Sequence, residues 1–331
     1  MSIEIAVIGA GRIGQIHARN IARHPDARVR YVVDVNAEAA TRLADACGAS
    51  VSDETTALTD PAVDGVVIAS STDTHLPLIV ACADSGKSVF CEKPLDLDTS
   101  RAEQCRAAAA DAGIDLFVGF NRRFDPTFRK IRDAVADGRV GQLEMVTVTS
   151  RDPAPPPLAY LRRSGGLFRD MMIHDFDMVC WLTGSEPKSV FATGAARVSQ
   201  DVIDAGDVDT AAVVVEMHDG AYCQISNSRR CVYGYDQRIE VFGAAGMLRA
   251  GNATETRVES ADAGGFHTEP ALPFFLERYD AAYRHETDDF VRALAGKPHA
   301  LPGARDGVRA LQLADAAEAS LKEGRAVPVA G

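Results

Sequence analysis

Up to about residue 120, short β-rich runs alternate with longer Ala-rich runs of helical period. The short runs are Ile3–Ile8, Val29–Asp34, Gly65–Ala69, Ser88–Cys91 and Leu116–Phe120. Strand and helix taken in turn predict a doubly wound parallel sheet with helices on both faces. One helix has its ends marked, with Asp98-Thr99-Ser100 as a cap and Gly113 as a stop. After Phe120 the rhythm changes. Asp125-Pro126 can start a helix, Leu143–Ser150 alternates as a strand does, and a Pro-rich loop follows at Pro153-Ala154-Pro155-Pro156-Pro157. From Lys188 to about Glu259, β-type runs succeed one another without helices between them, among them Thr210–Met217, Ala221–Ser228 and Arg238–Phe242. These predict a large, open and mostly antiparallel sheet. Two helical stretches, roughly Glu277–Ala295 and Asp306–Glu323, close the chain. The expected class is α/β in residues 1–120, followed by an α+β domain over 121–331.

Length supports two cores, since 331 residues exceed what one core usually organises. Hydrophobic and charged fractions of 46% and 25% are ordinary for a globular chain. The formal charge of −12 excludes partners bound by phosphate neutralisation, so no nucleic acid is expected. Seven cysteines, odd in number and without a C-x-x-C pair, read as buried reduced thiols. The first apolar run is six residues broken by Glu4, unlike a leader peptide, and no uncharged run nears the ~18 residues that span a bilayer. A cytoplasmic protein without a membrane partner is the expectation.

The first chemical signal is Gly9-Ala10-Gly11-Arg12-Ile13-Gly14, directly after a strand and before a helical pattern. Glycines there make a tight turn, let the backbone approach a pyrophosphate and open a helix whose N-terminal N–H groups face the anion. Asp34 ends the next strand, twenty positions beyond Gly14, where a carboxylate can bind both ribose hydroxyls. A 2′-phosphate would sit against that charge, and neither Val35 nor Asn36 offers a cation, so NAD is expected over NADP. The bland alternative is a turn that only reverses the chain, with Asp34 capping a loop.

Oxidising an alcohol by hydride transfer requires a base and donors for the substrate oxygens. Glu92-Lys93-Pro94 follows the strand Ser88–Cys91 at its carboxyl end, where open parallel sheets bind ligands, and places Lys93 as a candidate. Asp170-Met171-Met172-Ile173-His174-Asp175-Phe176-Asp177 runs on through Leu182 and reads as one amphipathic helix. On it Asp170 and His174 share a face at i and i+4, with Asp177 beside them. Histidine suits proton transfer near neutrality, and a neighbouring carboxylate supports the imidazolium. A histidine among apolar residues is more often a core side chain, and the flanking acids favour function. Ser71, Thr72 and His75 follow the strand Gly65–Ala69 and either meet the cofactor or include a helix cap at Thr72 or Asp73. Arg122 and Arg123 are candidates for substrate hydroxyls, with a solvated hinge cation as the simpler reading. No histidine cluster has metal-ligand spacing, so no metal is expected.

On these residues the chain resembles the Gfo/Idh/MocA family of oxidoreductases over essentially its whole length. The resemblance rests on Ile8–Gly14, Glu92-Lys93-Pro94 and Gly119-Phe120-Asn121-Arg122-Arg123-Phe124-Asp125. Ser164–Asp170 with His174–Asp177, and Tyr233-Gly234-Tyr235-Asp236-Gln237-Arg238, resemble its inositol dehydrogenases. It implies a Rossmann domain binding NAD through Gly9, Gly11, Arg12, Ile13, Gly14, Asp34, Ser71, Thr72, His75 and Glu92. It also implies a catalytic cluster of Lys93, Asp170 and His174, with Lys93 polarising the reacting oxygen and His174 as base. Arg122, Tyr233 and Tyr235 would line a polyol pocket, and Asp152 would replace the His and Asn that some members carry in that loop. Further implications are a cis Lys93-Pro94 peptide and assembly of dimers or tetramers through the second sheet.

The expected reaction is oxidation of myo-inositol to 2-keto-myo-inositol. The same residues would serve another inositol isomer or an aldose. A non-catalytic NAD(P)-sensing protein is the rival of another class, but it would have no use for Lys93 together with an Asp-His pair. Short-chain dehydrogenase chemistry is excluded because no Tyr-x-x-x-Lys occurs.

Overall fold

The computed structural model describes residues 2–330. It divides into two units that a single cut near residue 120 does not separate. One unit runs to Asn121 and takes in Ala282–Leu311, while the other comprises Arg122–Ala281 and the chain from Gln312 on. The return of Ala282–Leu311 to the first unit has a packing cause. Phe290 and Val291 join the core of the first sheet, and Phe290 packs on Phe90 and Phe117 at ring distances of 5.6 and 6.2 Å. Val118 N–H donates to Pro302 O at 3.0 Å, tying the returning chain to the sheet edge. No local pattern announces that return.

In the first unit, β1 (Ile3–Ile8), β2 (Ala27–Val33), β3 (Ser50–Val51), β4 (Gly65–Ile68), β5 (Ser88–Glu92) and β6 (Leu116–Gly119) form one parallel sheet, ordered β3-β2-β1-β4-β5-β6. β1, β4, β5 and β6 are buried on both faces, whereas the edge strand β3 is exposed. Val7, Val67 and Phe90 lie in the core, each worth about 1.5–3 kcal/mol by its burial. Helix Thr99–Ala112 has the ends its sequence marks: Asp98 accepts from the N–H groups of Ser100 and Arg101, and Gly113 closes it in a left-handed conformation. The strand order reverses between β1 and β4, so ligand chemistry belongs at the carboxyl ends of these strands.

The second unit holds a sheet of β7 (Leu143–Arg151), β8 (Pro187–Ala195), β9 (Thr210–Met217), β10 (Tyr222–Ser228), β11 (Asp236–Gly243), β12 (Gly246–Ala250) and a final β15 (Val327–Pro328). A separate hairpin comprises β13 (Glu259–Asp262) and β14 (Gly265–Thr268). The large sheet is ordered β12-β11-β7-β10-β9-β8-β15, and β7 and β10 are its one parallel pair. Alternation assigns its faces: Val146, Val148, Ile225, Val213 and Val241 point inward, and helix Ile173–Thr183 packs on β7. Helix Pro126–Ala136 starts where Asp125-Pro126 predicts, with Asp125 accepting from Thr127 and Phe128 N–H. Among the described residues no helix is long and apolar enough to cross a membrane.

Candidate active site

At the carboxyl end of β1 the chain turns through Gly9, whose φ of +107° requires glycine. A Cβ there would lie 2.6 Å from the Ala69 and Ser70 backbone, and one on Gly14 would lie 1.8 Å from the Gly9 carbonyl oxygen. These two glycines pack strand, turn and helix Arg12–Arg23 backbone against backbone. Gly11 differs, because a Cβ on it would meet nothing within 4 Å. Its backbone therefore faces open space at the N-terminus of a 12-residue helix that has no side-chain cap and no acid in its first turn. This is the environment a pyrophosphate needs. Asp34 accepts from Ala10 N–H at 2.6 Å and from Asn36 N–H at 2.7 Å, so it braces the turn from the end of the second strand. Val35 is fully exposed and Asn36 caps the following helix, which leaves no cation next to Asp34 in the chain. The donor set fits a dinucleotide with free ribose hydroxyls.

The loop after β5 carries Lys93, half-buried, and its peptide bond to Pro94 is cis, as the resemblance implies. Two residues expected at the cofactor have their side chains buried within the first unit. Glu92 points into the unit, where one oxygen is 2.7 Å from His17 Nε2 and the other accepts the Lys93 N–H at 3.3 Å. His75 is 1% exposed, with Nδ1 2.9 Å from Pro94 O and Nε2 3.3 Å from Ser70 O. Burial lowers its pKa. Both residues brace the lysine loop from behind. Ser71 and Thr72 open a 3-10 turn, Thr72–Thr74, ahead of helix His75–Asp84, and neither the turn nor the helix has a side-chain cap, against the capping alternative.

In the second unit, Asp170 and His174 do not share one uninterrupted helix. Helix Gly166–Asp170 ends and helix Ile173–Thr183 begins after Met171 and Met172, whose N–H groups both reach back to Leu167 O. The simple i, i+4 register is lost there. Gly165 and Gly166 set the direction with φ of +81° and +80°, and Asp207 caps the short helix through Leu167 N–H at 3.0 Å. Asp170 is gripped from two sides. Tyr160 Oη donates to its Oδ1 at 2.8 Å, and Arg229 Nη2 donates to its Oδ2 at 3.0 Å. Burial, with Asp170 beside it, pushes the Tyr160 phenol well above the ordinary range, so Tyr160 remains a donor. His174 is half-buried in the first turn of the next helix.

The other acids and bases of this segment are buried pairs. Arg123 binds Asp177 through two nitrogens at 2.8 and 2.5 Å, which removes Asp177 from the Asp170 face expected for it. Arg122 Nη1 meets Asp175 at 2.5 Å and Ser150 Oγ at 3.0 Å, while Asn227 also donates to Asp175. Neither arginine is a solvated hinge cation. Each compensates a carboxylate that would otherwise be costly to bury. Tyr235 is buried edge-on to Phe274 and Tyr279, and Tyr233 is half exposed with its hydroxyl on Asp236 at 2.7 Å. Asp152 follows β7, its N–H donating to Ser228 O.

Tyr160 and Arg229 were not singled out from the sequence. A signal existed for Arg229: the inward positions of β10 are Cys223, Ile225 and Asn227, and the same alternation carried past the strand end turns Arg229 inward. It is 1% exposed. Tyr160 lies just beyond the Pro-rich loop, where nothing local marks it.

Residues 3–120 match the family described as an oxidoreductase family with an NAD-binding Rossmann fold, and residues 128–249 match the GFO/IDH/MocA C-terminal domain. The chain is 46% identical over 332 residues to the inositol 2-dehydrogenase of Rhizobium meliloti, covering 100% of both chains. It is also 46% identical to the myo-inositol 2-dehydrogenase of Thermotoga maritima, covering 98% of each. The crystal structure of a myo-inositol dehydrogenase from Lactobacillus casei in complex with NAD(H) and myo-inositol is similar at a TM-score of 0.90 and 26% identity, covering 100% of this chain and 98% of that one.

Proposed function

We propose that this chain, which belongs to the GFO/IDH/MocA oxidoreductase family, oxidises the C2 hydroxyl of myo-inositol with NAD, giving 2-keto-myo-inositol, NADH and a proton. The observation that carries the reading is the Asp170 carboxylate, fixed by Tyr160 and Arg229 four positions before His174, in a chain aligned end to end with inositol dehydrogenases. Gly9, Gly11, Arg12, Ile13 and Gly14 hold the pyrophosphate, Asp34 the adenosine ribose, and Ser71 and Thr72 the far end of the cofactor. NAD bound there supplies the hydride acceptor. Lys93 donates to the reacting oxygen and stabilises negative charge as its proton leaves. His174 takes that proton. Asp170 holds a neighbouring ring hydroxyl and favours the imidazolium, while Asp152 and Tyr233 meet the remaining hydroxyls.

Assembly belongs to the same reading. Met247, Phe242, Met145 and Tyr222 are paired in register along one exposed row across four strands. An apolar row of this kind suits a second copy of the chain. Phe242→Glu is expected to shift the protein to monomers in light scattering. Among the described residues none of the seven cysteines is in a disulfide and six are buried, with Cys82 and Cys105 pushed up to about 12 mainly by burial, in keeping with a reducing cytoplasm. The substrate test is NADH absorbance with a panel of inositols, aldoses and sugar acids, NAD and NADP in parallel. Turnover is expected with myo-inositol and NAD. A protein that reduces neither cofactor with any polyol contradicts the reading, and preference for an aldose moves the substrate within the family.

A further inference from the structure

Helix Ile173–Thr183 carries His174 in its first turn and is apolar nearly all round. Ile173, Phe176, Met178, Val179, Cys180 and Leu182 are buried, and the amino end has no side-chain cap. Apolar burial is non-directional, so such contacts alone define the rotation of a helix about its axis only weakly. Two acids interrupt the pattern: Asp175 is 0% exposed and Asp177 2%.

Asp175 is held from three separate segments of the second unit. Arg122 Nη1, at the start of that unit, donates to Oδ1 at 2.5 Å, and Ser150 Oγ, on β7, donates to the same oxygen at 2.6 Å. Asn227 Nδ2, on β10, donates to Oδ2 at 2.8 Å. Ser150 and Asn227 stand opposite each other in the parallel β7–β10 pair, so both sheet donors come from one row. All three donors are themselves buried. Arg123 grips Asp177 through two nitrogens. On a helix of about 3.6 residues per turn, the side chains of Asp175 and Asp177 point roughly 160° apart, and His174 falls on the arc between them, roughly 100° from Asp175. A rotation that relieved one set of bonds would break the other. Stability does not call for this arrangement, because well-packed apolar residues of similar volume serve as well as a buried ion pair or better. Direction is what the hydrogen bonds add.

We propose that Asp175 is a positioning residue for His174: held by Arg122, Ser150 and Asn227, it fixes the rotation of helix Ile173–Thr183 and with it the direction in which the imidazole is presented. The consequence for turnover rests on the reading of His174 as the base, whereas the fixed direction of its ring does not.

Nuclear magnetic resonance of the full chain, with carbon-13 in the histidine imidazoles, tests this directly. The His174 signal is the one missing from His174→Ala, and His17 and His75, buried in the first unit, serve as controls. One variant, Ser150→Ala, removes a single donor. The other, Arg122→Met with Asp175→Leu, removes the ion pair and leaves no buried charge behind, so it is expected to fold. In both, the His174 signal is expected to shift or broaden while those of His17 and His75 stay. For myo-inositol, kcat is expected to fall about tenfold in the double variant and less in Ser150→Ala, with KM for NAD within a factor of two of the wild type. A His174 signal unmoved in both folded variants overturns the proposal, as does a kcat that falls only with the folded fraction. A wild type that oxidises no polyol removes the link to turnover, and the His174 signal still decides the positioning, so the two failures are separable.

Discussion

At the Gly9–Gly14 turn, backbone meets backbone; at Asp170, side chains from 10 and 59 positions away meet on one carboxylate. The turn works by leaving side chains out. Gly9 and Gly14 are required by contact with main-chain atoms, and Gly11 by the open space in front of it. The Asp170 cluster works by compensation: an exposed donor, Tyr160, and a buried cation, Arg229, hold one acid in place. The first kind of site tolerates no added atoms, and the second tolerates no lost partners.

Removing the proposed base should have the largest effect on turnover. His174→Ala is expected to lower kcat about 10³-fold in steady-state assays while the Kd for NAD by calorimetry stays within a factor of two. Retained turnover would take the base assignment away. Arg229→Met breaks a buried pair and is expected to cost about 3 kcal/mol in chemical denaturation, with a matching loss of kcat. An undiminished stability would show that Asp170 does not need compensation. Gly14→Ala should cost about 1–3 kcal/mol by overpacking and weaken NAD binding, whereas Gly11→Ala should leave stability within about 0.5 kcal/mol and raise KM for NAD. If the two glycines behave alike, the distinction between packing and ligand space fails. Tyr160→Phe should be mildest, about 1 kcal/mol in stability or transition-state binding, for one hydrogen bond to Asp170.

The same contrast explains what the sequence discloses. Backbone demands leave local marks: the glycines, the carboxylate of Asp34 at a strand end, Asp98 and Gly113 at the ends of a helix, Asp125-Pro126 at the start of another. Each was readable because the constraint and the residue that meets it lie within a few positions. Pairings between distant residues leave none. Arg122 and Arg123 look like surface cations until Asp175 and Asp177, more than 50 positions on, are seen to pair with them. His75 and Glu92 stand at the right strand ends for a cofactor, yet each turns inward to brace the lysine loop. The helical period across Asp170–Leu182 is real, but the extra turn at Met171-Met172 breaks the register on which the shared face depended. Packing also brings Ala282–Leu311 back to the first sheet through Phe290, which a linear division into domains does not foresee.

The central claim, hydride transfer from C2 of myo-inositol to NAD on this chain, is tested most directly with substrate deuterated at C2 and mass spectrometry of the reduced cofactor. The account predicts NADH carrying one deuterium, formed at a rate lowered by the isotope and abolished in His174→Ala. Unlabelled NADH, or no reduced cofactor at all, would contradict it.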